Sequence, residues 1–428
     1  MSCRRRQTVG RQSLADVRPR LRVEVTCRQG IADLRAARPS RQAGLTLVEL
    51  MISLVLGLIL VTAVGTLFVY TNRSNRQNEL IAGMQDQARF ALATLSRDIT
   101  MAGYWGGIAS AATITPNTND LDATNDASTA TAAFPAANDC GVDATTRWAF
   151  ELTRKLSYPD PITGITQILM WPSRIEFRNQ STSGAPSAMW RCIGDYKTGT
   201  DVVALRRVAG QQTGCIDSAN TTDCKPGSGQ VKLRAYNYYL QTNGVVGTLM
   251  RWSSADTATP GGTEQPLSAP MNFFRYVPRI YYVRNYSHTS GDGIPTLCRK
   301  ELCSTGYTAG SDNESGTCGA AGASATASGF YSECLAEGVE DLQIVWGVAN
   351  ADGSGFRYTS TPSAQEVATN AQTAQIFLRM RSARSDGSYT DTKTYTAGDG
   401  SAYTSSGSDQ HFYRRIYSTT VYLRNPAR

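Results

Sequence analysis

Apolar and polar positions divide the chain into three regimes. From Leu45 to Tyr70 nearly every residue is apolar, and Glu49 is the one charge in those 26 positions. A helix needs about 20 such residues to cross the ~30 Å hydrocarbon layer of a bilayer, so this run predicts a membrane-spanning helix. From Asn72 the pattern becomes amphipathic: Leu80, Ile81, Met84, Ala88, Ala91, Leu92, Leu95 and Ile99 recur at intervals of three and four. That stripe predicts more helix with one buried face. No proline occurs between Pro39 and Pro116, so one helix can run from Leu45 to about Met101. At 1.5 Å per residue its length would be on the order of 80 Å. Gly103 and the pair Gly106 and Gly107 supply its stop.

The third regime is β-like. Residues 108–137 are rich in Ala, Thr, Asn and Asp and read as a linker. Beyond them, β-branched and aromatic runs are separated by Gly, Pro, Ser and Asn. They predict strands at Ile165–Trp171, Arg174–Arg178, Val202–Val208, Val231–Leu240, Val246–Trp252, Tyr276–Val283, Leu342–Val348, Ile376–Met380 and Ile416–Leu423. Asn350 to Gly353 and the pair Asp399 and Gly400 read as hairpin turns; they lack the full ligand set of a calcium loop. Ser363 and Glu366, after Pro362, form a capping box that predicts one short helix. The fold class is α+β: a lollipop with a long N-terminal helix and a large, mainly antiparallel, disulfide-bonded β head. The expected organisation is a leader over 1–44, a transmembrane helix over 45–70, its amphipathic continuation over 71–107, the linker over 108–137 and the head over 138–428.

Charge sharpens the division. Residues 1–44 hold 11 of the 42 basic residues and three of the 35 acidic ones, which leaves 31 and 32 for the remainder. The basic pI is therefore a property of the leader and gives no reason to expect nucleic-acid binding. Arginines just before an apolar helix place the leader in the cytoplasm and everything after Tyr70 on the far side of the inner membrane. Eight cysteines lie on that side: Cys140, Cys192, Cys215, Cys224, Cys298, Cys303, Cys318 and Cys334. An even set in an oxidising compartment predicts disulfides. Their 105 possible connectivities stay open, with Cys215 and Cys224 the nearest-neighbour choice. A metal site at Cys298 and Cys303 is the rival reading, weakened by the absence of CxxC spacing and by only two histidines, His288 and His411.

Glu49 is the residue that the apolar run must explain. An unpaired carboxylate in hydrocarbon is neutralised or expelled unless a partner, such as the α-amino group of a neighbouring subunit, meets it. The plain alternative is a single-pass anchor whose Glu49 reaches water at one membrane face. A secretory signal would place its apolar core before the cleavage site; here the candidate site, Gly44 and Leu45, precedes the core.

Gly44-Leu-Thr-Leu-Val-Glu49, with Arg41 upstream, resembles the signal of type IV prepilins and type II secretion pseudopilins. The resemblance implies cleavage by prepilin peptidase between Gly44 and Leu45, N-methylation of Leu45, and a register-setting role for Glu49. The family usually carries Phe where Leu45 stands. Further blocks resemble the PilW family of minor pilins: Ala88 to Ala91, Leu95-Ser-Arg-Asp-Ile99, Ala102-Gly-Tyr104, Asp201 to Val203 with Arg206 and Arg207, Gly338 to Gln343, Arg415 to Val421, and Leu423-Arg-Asn425. This likeness implies a minor subunit in a tip or priming complex, with other minor pilins, the major pilin and a tip adhesin as partners.

No catalytic residues, cofactor or metal are expected. The chain has no GxSxG elbow, no HExxH and no Gly-Lys pair for a P-loop. Glu340 and Asp341 read as a solvated strand end. Tyr236, Tyr238, Tyr239, Tyr281 and Tyr282 offer a stacking platform for a glycan or single-stranded DNA, or, by alternation along strands, ordinary sheet residues. Two rivals to the minor pilin stand: a type II secretion pseudopilin and an uncleaved, membrane-anchored periplasmic binding module.

Overall fold

A computed structural model describes residues 44, 46–116, 139–141, 148–159, 166–179, 190–212, 214–216, 237–251, 271–304, 306–310, 316–319, 328–350 and 353–425. The chain divides into two compact units, residues 1–71 and 72–428.

Helix α1 spans Leu47–Met101, 55 residues. Both the apolar run and the amphipathic stripe are thus helical, and they meet without a break. Gly103 stops the helix at φ 74°. Its N–H turns away to the carbonyl of Arg206 at 3.0 Å, and a Cβ there would stand 2.9 Å from Arg174 Cδ. The left-handed backbone and the close approach both require glycine.

Nineteen strands follow among the described residues. The first eight are β1 (Ile114–Pro116), β2 (Thr153–Pro159), β3 (Thr166–Pro172), β4 (Ile175–Arg178), β5 (Val202–Val208), β6 (Gly214–Ile216), β7 (Tyr238–Thr242) and β8 (Gly247–Arg251). Then come β9 (Met271–Arg284), β10 (Thr296–Cys303), β11 (Tyr307–Thr308), β12 (Thr317–Cys318), β13 (Gly329–Glu337) and β14 (Val339–Ala349). The last are β15 (Phe356–Thr359), β16 (Ala371–Arg381), β17 (Thr394–Thr396), β18 (Ala402–Thr404) and β19 (Arg414–Tyr422). A nine-stranded sheet runs β1-β8-β7-β9-β10-β13, with β4, β5 and β6 joined through β9 and β5. A four-stranded sheet runs β15-β14-β16-β19. Except for the parallel pair β1 and β8, the pairings are antiparallel.

Each predicted strand has an observed counterpart, but β1, β2, β6, β10, β11, β12, β13, β15, β17 and β18 were not among the predicted ranges. The start of the predicted linker also carries order: a short 3₁₀ turn, Ala111–Thr113, leads into β1. Residues 117–137 lie outside the described residues. Both hairpin turns are observed. Asn350 and Gly355 close the β14–β15 turn, and Ala397 and Ser401 close β17–β18. The capping box also forms, with Ser363 N–H donating to Glu366 Oε2 at 2.8 Å and Glu366 N–H to Ser363 Oγ at 3.2 Å. It opens only five residues of wide π-type turn, Glu366–Asn370.

Among the described residues two large cores divide the head, beside a small cluster of Tyr239, Met250 and Phe273. In the first, Met84, Ala88, Ala91, Leu95 and Ile99 of α1 pack with Leu342, Ile344 and Trp346 of β14 and Ile376 and Leu378 of β16. Each fully buried aliphatic side chain contributes roughly 1.5–3 kcal/mol, so this stripe, more than helix propensity, fixes the second half of α1. The second core is aromatic, with Trp105, Trp148, Phe150, Trp190, Tyr238, Tyr276 and Tyr282. Arg206 is buried in it, paired with Glu176 at 2.8 Å and stacked 4.6 Å over Trp148. Tyr238, Tyr239, Tyr281 and Tyr282 are all buried, which overturns the stacking platform for those four; Tyr236 lies outside the described residues.

Among the described residues three disulfides form: Cys140–Cys192, Cys298–Cys334 and Cys303–Cys318. Cys298 and Cys303 are thus committed to different bridges, which overturns the metal reading for that pair. The expected pairing of Cys215 with Cys224 lies outside the described residues. Cys298–Cys334 staples β10 to β13, the outermost pair of the large sheet.

Candidate functional site: the N-terminal helix and its anchor

Gly44 is exposed, with open space for 4 Å around the place a Cβ would take, and Leu45 lies outside the described residues. Thr46 then starts α1. Its hydroxyl accepts from Glu49 N–H at 3.3 Å and its carbonyl from Leu50 N–H at 3.1 Å, half of a capping box. Glu49 therefore occupies the first turn, where the helix dipole favours an acid. Its carboxylate makes no hydrogen bond or ion pair among the described residues.

From Leu47 to Tyr70 the large apolar side chains are more than half exposed on every side of the helix. The helix is long and apolar enough to cross a membrane, and none of its apolar stretch is buried. The hydroxyls in this segment are internally satisfied: Ser53 donates to the carbonyl of Glu49, Thr62 to Leu58, Thr66 to Ala63 and Thr71 to Leu67, at 2.7–2.8 Å. A helix surrounded by lipid or by other helices needs that arrangement, because nothing outside would pair with a free hydroxyl. Gly57 opens a shallow apolar groove lined by Leu50, Leu54, Leu58 and Val61.

Farther along α1, Asp98 is buried and fixes the helix to the head. Arg207 of β5 donates to its Oδ1 at 2.7 Å and Arg279 of β9 to its Oδ2 at 2.8 Å. The Tyr281 hydroxyl donates to the same Oδ2. Burial pushes the Asp98 carboxyl up, but the Arg207 and Arg279 charges and the Tyr281 hydroxyl outweigh it and hold it below the usual carboxylate range. The network continues outward as alternating charges, Arg279 to Glu301 at 2.8 Å, Glu301 to Arg299 at 2.7 Å and Arg299 to Glu333 at 2.6 Å.

The end of α1 is held by the far end of the chain. Asn425 Nδ2 donates to the carbonyls of Met101 and Ala102, at 3.4 and 3.3 Å, and Arg424 N–H to that of Thr100 at 3.4 Å. Arg174 donates to the Asn425, Ala368 and Ala371 carbonyls. Burial lowers its guanidinium to about 10.

Glu340 and Asp341, expected as a solvated strand end, are buried. Glu340 accepts from Arg414 at 2.9 Å and Arg379 at 3.1 Å, and Arg379 also reaches Asp341 at 3.1 Å. Residues 382–413 leave the four-stranded sheet and return over it, which covers the strand end. No metal-ligand cluster occurs among the described residues.

Of the sequence-predicted assembly residues, Gly44 and Glu49 stand at the exposed start of α1. Asp98, Arg174 and Asn425 were not singled out by chemistry, although Asp98 and Asn425 lie in the blocks that resemble PilW. Their signal was an acid on the apolar stripe of a helix, and arginines inside apolar strands.

Comparison with known families matches residues 39–65 to the prokaryotic N-terminal methylation motif. Residues 280–425, from β9 through β19, match type IV pilus-assembly protein W. No curated protein and no solved structure matches the chain. The methylation motif on an exposed apolar helix marks a membrane anchor, and the second match brings a role in type IV pilus assembly and contact with other pilus components. With one signature at the start of α1 and the other in its β head, the chain is similar to the type IV pilin-like proteins of the PilW family.

Proposed function

We propose that this protein is a minor pilin, held in the inner membrane with its head in the periplasm until prepilin peptidase cuts between Gly44 and Leu45. Leu45 then becomes the N-methylated terminus. Extraction into the filament trades lipid contacts for helix-to-helix contacts along Leu47–Tyr70, and Glu49 meets the α-amino group of a neighbouring subunit to set the axial register. The role is assembly, without catalysis. A large head suits a tip or priming complex, shared with other minor pilins and an adhesin, better than a repeating shaft, where it would crowd the lattice.

The observation that carries this reading is a fully exposed apolar helix whose single acid has no partner among the described residues. Intact mass and N-terminal sequencing of the membrane protein, with and without the peptidase, test it. A terminus at Leu45 with one methyl group, present only with the peptidase, is expected. An uncut chain in both strains would overturn it in favour of the uncleaved anchored module; a cut chain needed for type II secretion and not for piliation would make it a pseudopilin.

A further inference from the structure

The four-stranded sheet turns one face to the core and one outward. Leu342, Ile344 and Trp346 of β14 and Ala374, Ile376 and Leu378 of β16 belong to the core. Alternation therefore sends Gly347 and Thr373 to the outer face. Tyr358 of β15 pairs with Gly347, Gly347 with Thr373, and Thr373 with Tyr422 of β19. Directly paired residues share a face, so these four form one row across all four strands. Tyr358 at one end is 50% exposed and Tyr422 at the other 71%. Three interstrand spacings of about 4.8 Å set their backbones roughly 14 Å apart. Phe356, two residues from Tyr358, meets it edge-on at 6.4 Å. Beyond Tyr70, the exposed large apolar side chains among the described residues are Phe90, Val245, Phe356, Tyr358 and Tyr422. Three of the five therefore gather at one end of one sheet face, where isolated exposures are the ordinary pattern.

Gly347 keeps the space between the tyrosines low: a Cβ there would stand 2.1 Å from Thr373 Oγ1 and 3.1 Å from Tyr358 Cε1. Thr373 Oγ1 lies buried at the foot of the Tyr358 ring and makes no hydrogen bond. In the adjacent outer row Val345 pairs with Gln375, and Gln375 with Thr420. No paired position in these two rows holds a carboxylate or a cation; Arg357 faces the other way and pairs with Glu366.

We propose that this end of the outer sheet face binds neutral carbohydrate. The flat side of a pyranose presents C–H bonds that carry slight positive charge, which suits the negative face of an aromatic ring. Its rim hydroxyls suit neutral partners, here Thr420, Gln375 and the tyrosine hydroxyls, few and placed around an apolar surface. A nucleic acid would require cations against its phosphates, and these rows have none. The inference goes beyond assembly and needs neither cleavage nor incorporation into a filament.

The test uses the full chain in a detergent without a sugar headgroup, passed over immobilised amylose, chitin and purified peptidoglycan beside Tyr358→Ala and Tyr422→Ala. Retention on at least one matrix is expected, displaced from the wild type by the matching soluble oligosaccharide. Losing one stacking ring should weaken it about tenfold, with Tm unchanged, because both rings are at least half exposed. Peptidoglycan as the sole binder would identify the cell's own wall as the source; amylose or chitin would identify a free glycan. No retention on any matrix overturns the proposal, as does retention that both variants leave intact. Variants that alter only the oligomeric state would make the face a contact between copies, which also overturns it.

Discussion

Between Leu47 and Thr71, helix α1 presents leucine, valine and isoleucine on every side; between Met84 and Ile99 it carries one buried stripe and polar residues elsewhere. Each half also carries a distinctive acid, and the two are treated in opposite ways. Asp98 receives two guanidinium groups and a phenol from its own chain. Glu49 receives nothing among the described residues beyond the favourable dipole of its own first turn. The difference teaches where each half finds its partners. The second half is completed by folding, and the first is completed by a membrane or by other subunits.

The sharpest way to break this comparison is Glu49→Gln. If its partner lies on another subunit, incorporation into pili should fall on the order of 100- to 1,000-fold or more, since removing one member of a desolvated pair costs about 3–5 kcal/mol. Head stability, followed by tryptophan fluorescence in detergent, should not change. Asp98→Ala should do the reverse, destabilising the head by about 3–5 kcal/mol in urea titrations because two arginines lose their buried counter-charge. The same acid sets a pH signature. Its folded carboxyl titrates below the ordinary 3.8, so its contribution is fully present above that value and fades as pH falls through the folded one. Thermal scans from about pH 6 down to about pH 2 should show that acid-side loss in the wild type and a shallower one in Asp98→Asn. Replacing Cys298 and Cys334 by Ser opens a loop with a sequence separation of 36. Chain entropy then predicts a loss of about 3–4 kcal/mol, measured in the same titration. At the small end, Leu58→Ala should leave head stability within about 0.5 kcal/mol, since Leu58 is 69% exposed. A larger loss would show that the apolar half is packed on its own chain.

Much of this was legible in the residues. An apolar run followed by a three-and-four stripe encodes one helix, and Val202–Val208 or Ile376–Met380 could be little else than strands. β10 and β13 escaped because their sequences are polar. Arg299 pairs across to Glu333 of β13 and Glu301 to Arg279 of β9, and Lys300 is buried with its ammonium on Ser332 at 2.6 Å. The Ser332 and Glu333 partners lie 32 and 34 positions from Lys300 and Arg299, where periodicity carries no information. Glu340 and Asp341 misled for the same reason: the arginine of β19 that pairs with Glu340 is 74 residues later. The cysteine count predicted disulfides, yet Cys140 and Cys192, 52 residues apart, could be matched only by the fold. Gly44 and Glu49 were readable because an assembly signal lies in contiguous sequence, whereas Asp98 becomes meaningful only once β5 and β9 lie beside it.

The contact between Asn425 and the last turn of α1 joins residues 324 positions apart. The amide that caps the far end of the helix is made long after the helix itself. Until residue 425 is in place, the carbonyls of the final turn lack their donor and the buried Arg174 lacks one of its three acceptors. The head is therefore a clasp that shuts only once residues 424 and 425 have folded back onto the helix. A chain shortened before residue 424 would keep its apolar helix and lack the finished end that fixes it.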